Sequence, residues 1–470
     1  MAGRLLLGAL GTLVLLRLLS LGIYPLTDAT EARYADIARR MVERSDWVTP
    51  WFSETAPFWA KPPLSFWASA LGFELLGLNE FAARLPHLVL GGLVATLVWL
   101  HGRQRSQRAA WHAVALLAGT ALFLVASGAV MTDMAMTLGT TLVMVGFWRA
   151  LHDNAGSRDG AWLMVLGASI GLLAKGPVSL ILCAVPIVVW VSLTRSVLST
   201  WRRIAWLRIA AIVLALSLPW YLVAEARTPG FLRYFIVGEH WHRFITAGWA
   251  GDLYGSAHKF PRGTIWLFAL GAALPWTLLA PFAWLVAREP APTGAATRHD
   301  GEAAYLWAWA LAPCVFFTFA GNILWTYVLP GLPALAILGG YWTATRRRPA
   351  RVEGLITLGV VGCCATFIAL LTLPKVSNLL DARSAKSLVD AYRADAAPEQ
   401  PLYFLGGVPF SGSFYTQGKA RAITDLRDVP VGQPAYVILN KDALNALASD
   451  VRVRLQPRTI RGDRVLARIQ

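Results

Sequence analysis

Apolar runs long enough to cross a hydrocarbon layer of about 30 Å recur near residues 5–24, 81–101, 109–127, 134–151, 161–175, 177–195, 204–224, 263–287, 304–321, 324–343 and 353–373. They predict about eleven spanning helices. The pattern changes in two places. Residues 25–80 are too polar to span, yet they carry two amphipathic stretches, one with Tyr34, Ile37, Ala38, Met41 and Val42 at helical spacing and one from Pro63 to Leu78. Both are predicted to lie along the membrane surface. Beyond Lys375 the hydropathy falls, and short β-type runs (Pro401–Leu405, Ala435–Leu439, Arg464–Ile469) alternate with helix-compatible stretches such as Lys441–Ala448. The expected organisation is a transmembrane domain over 1–374, with 25–80 as its first outer loop, and a small soluble α/β domain over 375–470. No repeat of fixed period and no Gly/Pro-broken spans in matching halves are visible, which weighs against an inverted-repeat transporter.

Composition agrees with this class. With 56% hydrophobic and 15% charged positions, the chain falls among polytopic membrane proteins. The net charge of +16 does not point to nucleic acid, because the arginines sit in short clusters between apolar runs. If the amino terminus is cytoplasmic, alternate connections carry Arg103, Arg105 and Arg108, then Arg149 and Arg158, then Arg195, Arg202 and Arg203, then Arg288 and Arg298, then Arg346, Arg347, Arg348 and Arg351. That positive-inside pattern puts the 25–80 segment, the turns at Asp133, Lys175 and Asn322, the 225–262 loop and everything after Lys375 outside. Cys183, Cys314, Cys363 and Cys364 lie in apolar runs and read as small hydrophobes. Residues 5–24 lack a small-residue cleavage site before Asp28 and read as a retained first helix.

The outward side also carries the candidate chemistry. Asp28 and Glu31 have the spacing of a capping box at a helix start, which alone accounts for both; a carboxylate held there can equally take the proton of an attacking hydroxyl. In Ala60-Lys61-Pro62-Pro63 the prolines fix Lys61 at a helix amino terminus, where free N–H groups and an ammonium suit a phosphate; the plain alternative is snorkelling to headgroups. Asp133 lies in a short turn between spans, either as a helix cap or as a functional acid. Lys175-Gly176-Pro177 is an ordinary turn or part of an anion site. In Glu239-His240-Trp241-His242-Arg243 the two histidines project from different helix faces, so zinc is not expected, whereas Arg243 suits a phosphate. Tyr327 belongs to an interfacial aromatic belt or bonds a headgroup.

Taken together, Glu31-Ala-Arg33-Tyr34, Ser45-Asp46-Trp47, Trp59-Ala60-Lys61-Pro62, Asp133, Lys175-Gly176, Glu239-His240 with Arg243-Phe244, and Thr326-Tyr327 resemble in order and spacing the bacterial aminoarabinose transferases and the wider protein-mannosyltransferase-like family of C-type glycosyltransferases. Two positions depart from that pattern: Thr30 stands where the family has the motif aspartate, and Ala60 where it has a glutamate before the lysine. The resemblance implies an inverting transferase that takes a sugar from a polyprenyl phosphate, undecaprenyl phosphate in bacteria, and passes it to an envelope glycolipid such as lipid A or to a protein. Lys61, Arg33, Arg243 and Tyr327 would hold the donor phosphate; Asp28, Glu31 and Asp133 would orient or deprotonate the acceptor; Tyr34, Lys175, Glu239 and His240 would line the site. Fixed donors would replace a divalent ion, so neither metal nor nucleotide sugar is expected. A multi-pass monomer in the bacterial inner membrane, with its site facing the periplasm, is the resulting expectation. The rival classes are a lipid or solute transporter, or flippase, and a non-catalytic scaffold; the first would place ionisable groups near the bilayer midplane, whereas these gather at outer span ends.

Overall fold

A computed structural model describes the chain apart from residues 1, 153–156, 256–257, 287–300, 347–348, 398, 431, 448–453 and 470. Arg288, Arg298, Arg347 and Arg348 of the positive-inside pattern, and the end of the Lys441–Ala448 stretch, therefore lie outside the described residues. The chain forms two compact units: Met1–Leu18, Trp47–Ala68 and Leu85–Thr366 make the first, and Leu19–Asp46, Ser69–Arg84 and Phe367–Gln470 the second.

All eleven apolar runs are helical over most of their length, but not all as single rods. Among the described residues five helices are long and apolar enough to cross a membrane unaided: Gly3–Ser20, Glu80–Gly102, Asp133–His152, Trp206–Arg227 and Ala350–Thr372. The run at 263–287 is two helices bent by 72°, and that at 109–127 breaks into Gln107–Ala118 and Ala121–Ala126. Such a break frees carbonyls that hydrocarbon cannot satisfy. Trp276 Nε1 answers one of them, donating to Leu116 O at 2.7 Å, and Arg17, buried in the first apolar run, caps the end of the second piece, its Nε donating to Leu124 O at 2.9 Å and its Nη2 to Val125 O at 3.1 Å.

The centre of the first unit is Asp133–His152, in which nearly every residue is buried. It lies against Ser157–Lys175 at backbone contact, made possible by glycine: a Cβ added at Gly167 would stand 2.5 Å from Gly139 O, and one at Gly139 would stand 2.7 Å from Gly171 N. With no side chains between them the helices gain dispersion contacts instead of a hydrophobic drive that lipid does not supply. At the far side of this pair Trp148, Trp190 and Tyr305 pack ring against ring.

The second unit carries a five-stranded sheet of order β2-β1-β3-β5-β4, with β1 Leu402–Leu405, β2 Arg421–Ile423, β3 Ala435–Asn440, β4 Leu455–Arg461 and β5 Arg464–Ile469. β1 runs parallel to β2 and β3, while β5 is antiparallel to β3 and β4. Three strands match the alternating runs read from sequence; β2 and β4 carry little burial and hence little pattern. Helix Thr30–Glu43 joins this unit by packing on Phe410–Tyr415. It buries the expected apolar face and also its polar residues: Asp36 pairs with Arg39 at 2.8 Å and Arg40 at 3.1 Å, and Arg40 donates to Ser413 Oγ at 3.1 Å.

Candidate functional site

A cavity of about 500 Å³ in the first unit gathers residues from three of the motif blocks and from the turn before Pro177. Lys61, Lys175, Glu239, His240, Arg243 and Tyr327 all face it, and Phe244, Phe316, Phe317 and Ile181 give it largely apolar walls. Polar heads at one place and hydrocarbon around them form a surface suited to an amphiphile.

The 225–262 loop supplies the key carboxylate. Residues Arg233–His242 wind as a π-helix, a wide turn found often at functional sites, and its i to i+5 register shows in Tyr234 Oη donating to Glu239 Oε1 at 3.4 Å and His240 Nδ1 lying 2.8 Å from Phe235 O. Glu239 then stands between two cations: Lys61 Nζ donates to its Oε2 at 2.9 Å, and Arg243 Nη1 to its Oε1 and Oε2 at 2.9 and 3.1 Å. Burial alone would push the Glu239 carboxyl up, but Lys61 and Arg243 outweigh it and hold the group below the usual carboxylate range. Burial shifts His240 down from the usual histidine range, against the opposing effect of its contacts with Phe235 O and Lys175 O.

The cations retain donors beyond this triad. Lys61 also donates to Ala60 O at 2.7 Å, leaving one of three N–H groups. Arg243 meets Glu239 and, at 3.5 Å, Asp252 through Nη1 alone, so Nε and Nη2 have no partner among the described residues. The Tyr327 hydroxyl likewise has none and faces the cavity. Lys175 Nζ lies 4.6 Å from the centre of the Tyr327 ring and donates to Asp133 Oδ1 at 2.6 Å. Gly176 makes that turn with φ of +81°, and a Cβ there would stand 2.5 Å from Phe235 Cζ, so glycine is required twice over. Asn322 locks the loop, donating to Thr246 O at 2.9 Å and accepting from Gly248 N at 3.1 Å.

The other expected residues lie elsewhere. Asp133 pairs with Lys175 and does not line the cavity. Asp28, Glu31, Arg33 and Tyr34 belong to the second unit. The capping box expected of Asp28 and Glu31 does not form: the helix starts at Thr30 after Ala29, with no side-chain cap. Asp28 instead accepts from Ser411 N at 2.9 Å and from Ser411 Oγ, and burial raises its pKa. Glu31 is clamped by Arg84, Nε to Oε1 at 2.8 Å and Nη2 to Oε2 at 2.7 Å. Arg33, expected at the donor phosphate, does not line the cavity; its guanidinium stacks near Tyr34 and Phe410. Arg84, Asp252 and Ser411 escaped the sequence reading. A lone arginine inside an apolar run near its outer end was the one available signal, and it marks Arg84 alone.

A helical membrane unit of several spans, a loop-built polar cavity and a small sheet unit together make the C-type glycosyltransferase fold. The fold is that of ArnT from Cupriavidus metallidurans in its crystal structure bound to undecaprenyl phosphate, with a TM-score of 0.80 at 22% identity over 98% of this chain and 97% of that one. A more distant likeness is to the oligosaccharyltransferase of Archaeoglobus fulgidus, with a TM-score of 0.51 at 12% identity, covering 93% of this chain and 70% of that one. The profile of the dolichyl-phosphate-mannose-protein mannosyltransferase family matches residues 15–235. Curated relatives include undecaprenyl phosphate-alpha-4-amino-4-deoxy-L-arabinose arabinosyl transferase 2 of Pseudomonas fluorescens, 30% identical over 77% of this chain and 63% of the relative. The corresponding transferase of Pseudomonas paraeruginosa is 32% identical over 73% of this chain and 61% of the relative. The chain belongs to the aminoarabinose-transferase-like, protein-mannosyltransferase-like family. It spans less than two thirds of the length of these two relatives.

Proposed function

We propose that this protein transfers a sugar from a polyprenyl phosphate, undecaprenyl phosphate in a bacterial host, to an acceptor in the cell envelope such as lipid A. The observation that carries the reading is the set of donors left at one apolar-walled cavity by Lys61, Arg243 and Tyr327. The similarity to relatives named as undecaprenyl phosphate-aminoarabinose arabinosyl transferases supports it. In the transfer the anomeric C–O bond to the lipid phosphate breaks while the acceptor oxygen bonds to the opposite face of that carbon, so the configuration inverts. The negative charge that collects on the departing phosphate is met by the Lys61 ammonium, the Arg243 guanidinium and the Tyr327 hydroxyl, oriented before the reaction begins.

Glu239 is the positioning group for this set. By holding Lys61 and Arg243 through one carboxylate it fixes both cations without using all their donors, and its low pKa keeps the arrangement intact at neutral pH. Asp133 does the same for Lys175. The base role expected of Asp28, Glu31 and Asp133 has less support, since each is engaged by Ser411, Arg84 or Lys175. The proposal therefore places the catalytic weight on the leaving group. An acceptor phosphate, with a second pKa of about 6, is already largely ionised and needs little help from a base. The positive-inside pattern supports a site on the periplasmic face of the inner membrane.

The test is turnover of a radiolabelled polyprenyl-phosphate sugar by the purified full chain, given envelope acceptor. The wild type should consume donor, and Lys61→Ala should lose more than about 99% of that activity, as removal of a donor to a developing oxyanion does elsewhere. Full activity in a folded Lys61→Ala protein would remove Lys61 from the site.

A further inference from the structure

The helix pair Asp133–His152 and Ser157–Lys175 has the proposed site at one end; at the other a separate cavity of about 480 Å³ opens between Ser157–Lys175 and Trp206–Arg227. Three arginines from three elements reach it. Arg158 comes from the first turn of one helix, Arg208 from the first turn of the other, and Arg203 from the end of the short helix Val197–Arg203. Arg203 is tied down, its Nη1 donating to Leu151 O at 2.6 Å. Arg158 and Arg208 are exposed and make no ion pair or hydrogen bond among the described residues. Among the described residues no carboxylate lines the cavity.

Below the arginines the walls turn apolar on a helical period. Arg158, Trp162 and Val165 share one face of their helix, and Arg208 and Ile212 share the facing side of the other, so each arginine sits about a turn or more from hydrocarbon-lining residues. Arginines scattered over an inner surface satisfy the positive-inside bias without any cavity. Here they converge at the rim of a groove whose apolar walls at Trp162, Val165 and Ile212 suit an acyl chain. A free phosphate would leave the apolar walls wet. A zwitterionic headgroup would bring its own cation against three guanidinium groups. We infer that this groove binds an anionic phospholipid, its phosphate on Arg158 and Arg208 and one acyl chain along Trp162, Val165 and Ile212. The site is distinct from the Lys61 cavity and does not depend on the proposed transfer reaction.

Native mass spectrometry of the detergent-purified full chain, titrated with phosphatidylglycerol, phosphatidylcholine or soluble glycerol phosphate, tests this. Phosphatidylglycerol should be retained as a one-lipid adduct in preference to phosphatidylcholine. Arg158→Ala with Arg208→Ala should weaken that adduct about tenfold or more, given the gain each basic residue makes near an anionic lipid, and should leave the unfolding temperature without lipid unchanged. Ile212→Trp, which fills the groove and keeps the charges, should weaken it as well. Retention equal to wild type in both variants, equal retention of phosphatidylcholine, or displacement of the lipid by an equal concentration of glycerol phosphate would each overturn the inference.

Discussion

Glu239 carries more of the proposed site than any other single residue, because two cations depend on it. Its side chain is only 4% exposed, against 18% for Lys61 and 20% for Arg243. Glu239→Ala would leave Lys61 and Arg243 facing one another without the intervening carboxylate, at a cost of about 3 kcal/mol, seen as a lower thermal midpoint in detergent. The pH dependence has a definite sign. The folded pKa lies below the ordinary 4.5, so the stabilisation is fully present above that value and is lost as pH falls through the lower folded one. A wild-type melting curve should show no loss from this source between pH 7 and about 5. The residues at the cavity were legible in the sequence because each stands in or beside an outward connection, as a polar group among aromatic and apolar neighbours. The cap expected of Asp28 does not form, for a reason that no local pattern carries. Its neighbours obey the local rule for a cap, but its partner Ser411 lies 383 residues away, and no local pattern encodes that contact.

The elements that aim these residues are a close helix pair and a π-turn. Lys175 and Asp133 meet because Ser157–Lys175 and Asp133–His152 touch backbone to backbone at Gly167 and Gly139. Gly167→Val should force the helices apart at a cost of about 2 kcal/mol and, through the misaligned Lys175, reduce donor turnover as well as the unfolding temperature; a variant with unchanged values of both would show that the close approach does not matter. Helix existence was written plainly in the apolar runs. The breaks at Gly119 and between Ala272 and Trp276, and the wide winding of Arg233–His242, were not. They follow from carbonyls satisfied by distant groups, as Trp276 Nε1 satisfies Leu116 O beside Gly119, and from aromatic packing, which a hydropathy pattern does not register.

For the whole molecule, the division into units departs from a simple membrane part followed by a tail. The second unit draws Leu19–Asp46 and Ser69–Arg84 together with Phe367–Gln470. Within it, Lys386 Nζ pairs with Glu80 at 2.6 Å, Tyr415 Oη donates to Glu80 at 3.0 Å, and Ser411 and Ser413 answer Asp28 and Arg40. A chain cut after Thr366 would strand these charges and should run as an aggregate on size exclusion, where an independent tail domain would leave a monodisperse remainder. Three of the five strands were readable as short β-type runs, but their association with Thr30–Glu43 was not, since the polar face of that helix looks solvated until its partners are known.

The central claim is that Lys61 and Arg243 together hold a lipid phosphate in one cavity. It is tested most directly by the shift in thermal midpoint of the purified protein as undecaprenyl phosphate is added, in the wild type and in Lys61→Ala with Arg243→Ala. Ligand that binds only the folded state raises the midpoint with concentration, so the wild type should rise with the logarithm of the concentration while the double variant stays flat. Equal rises in the two proteins would contradict the account.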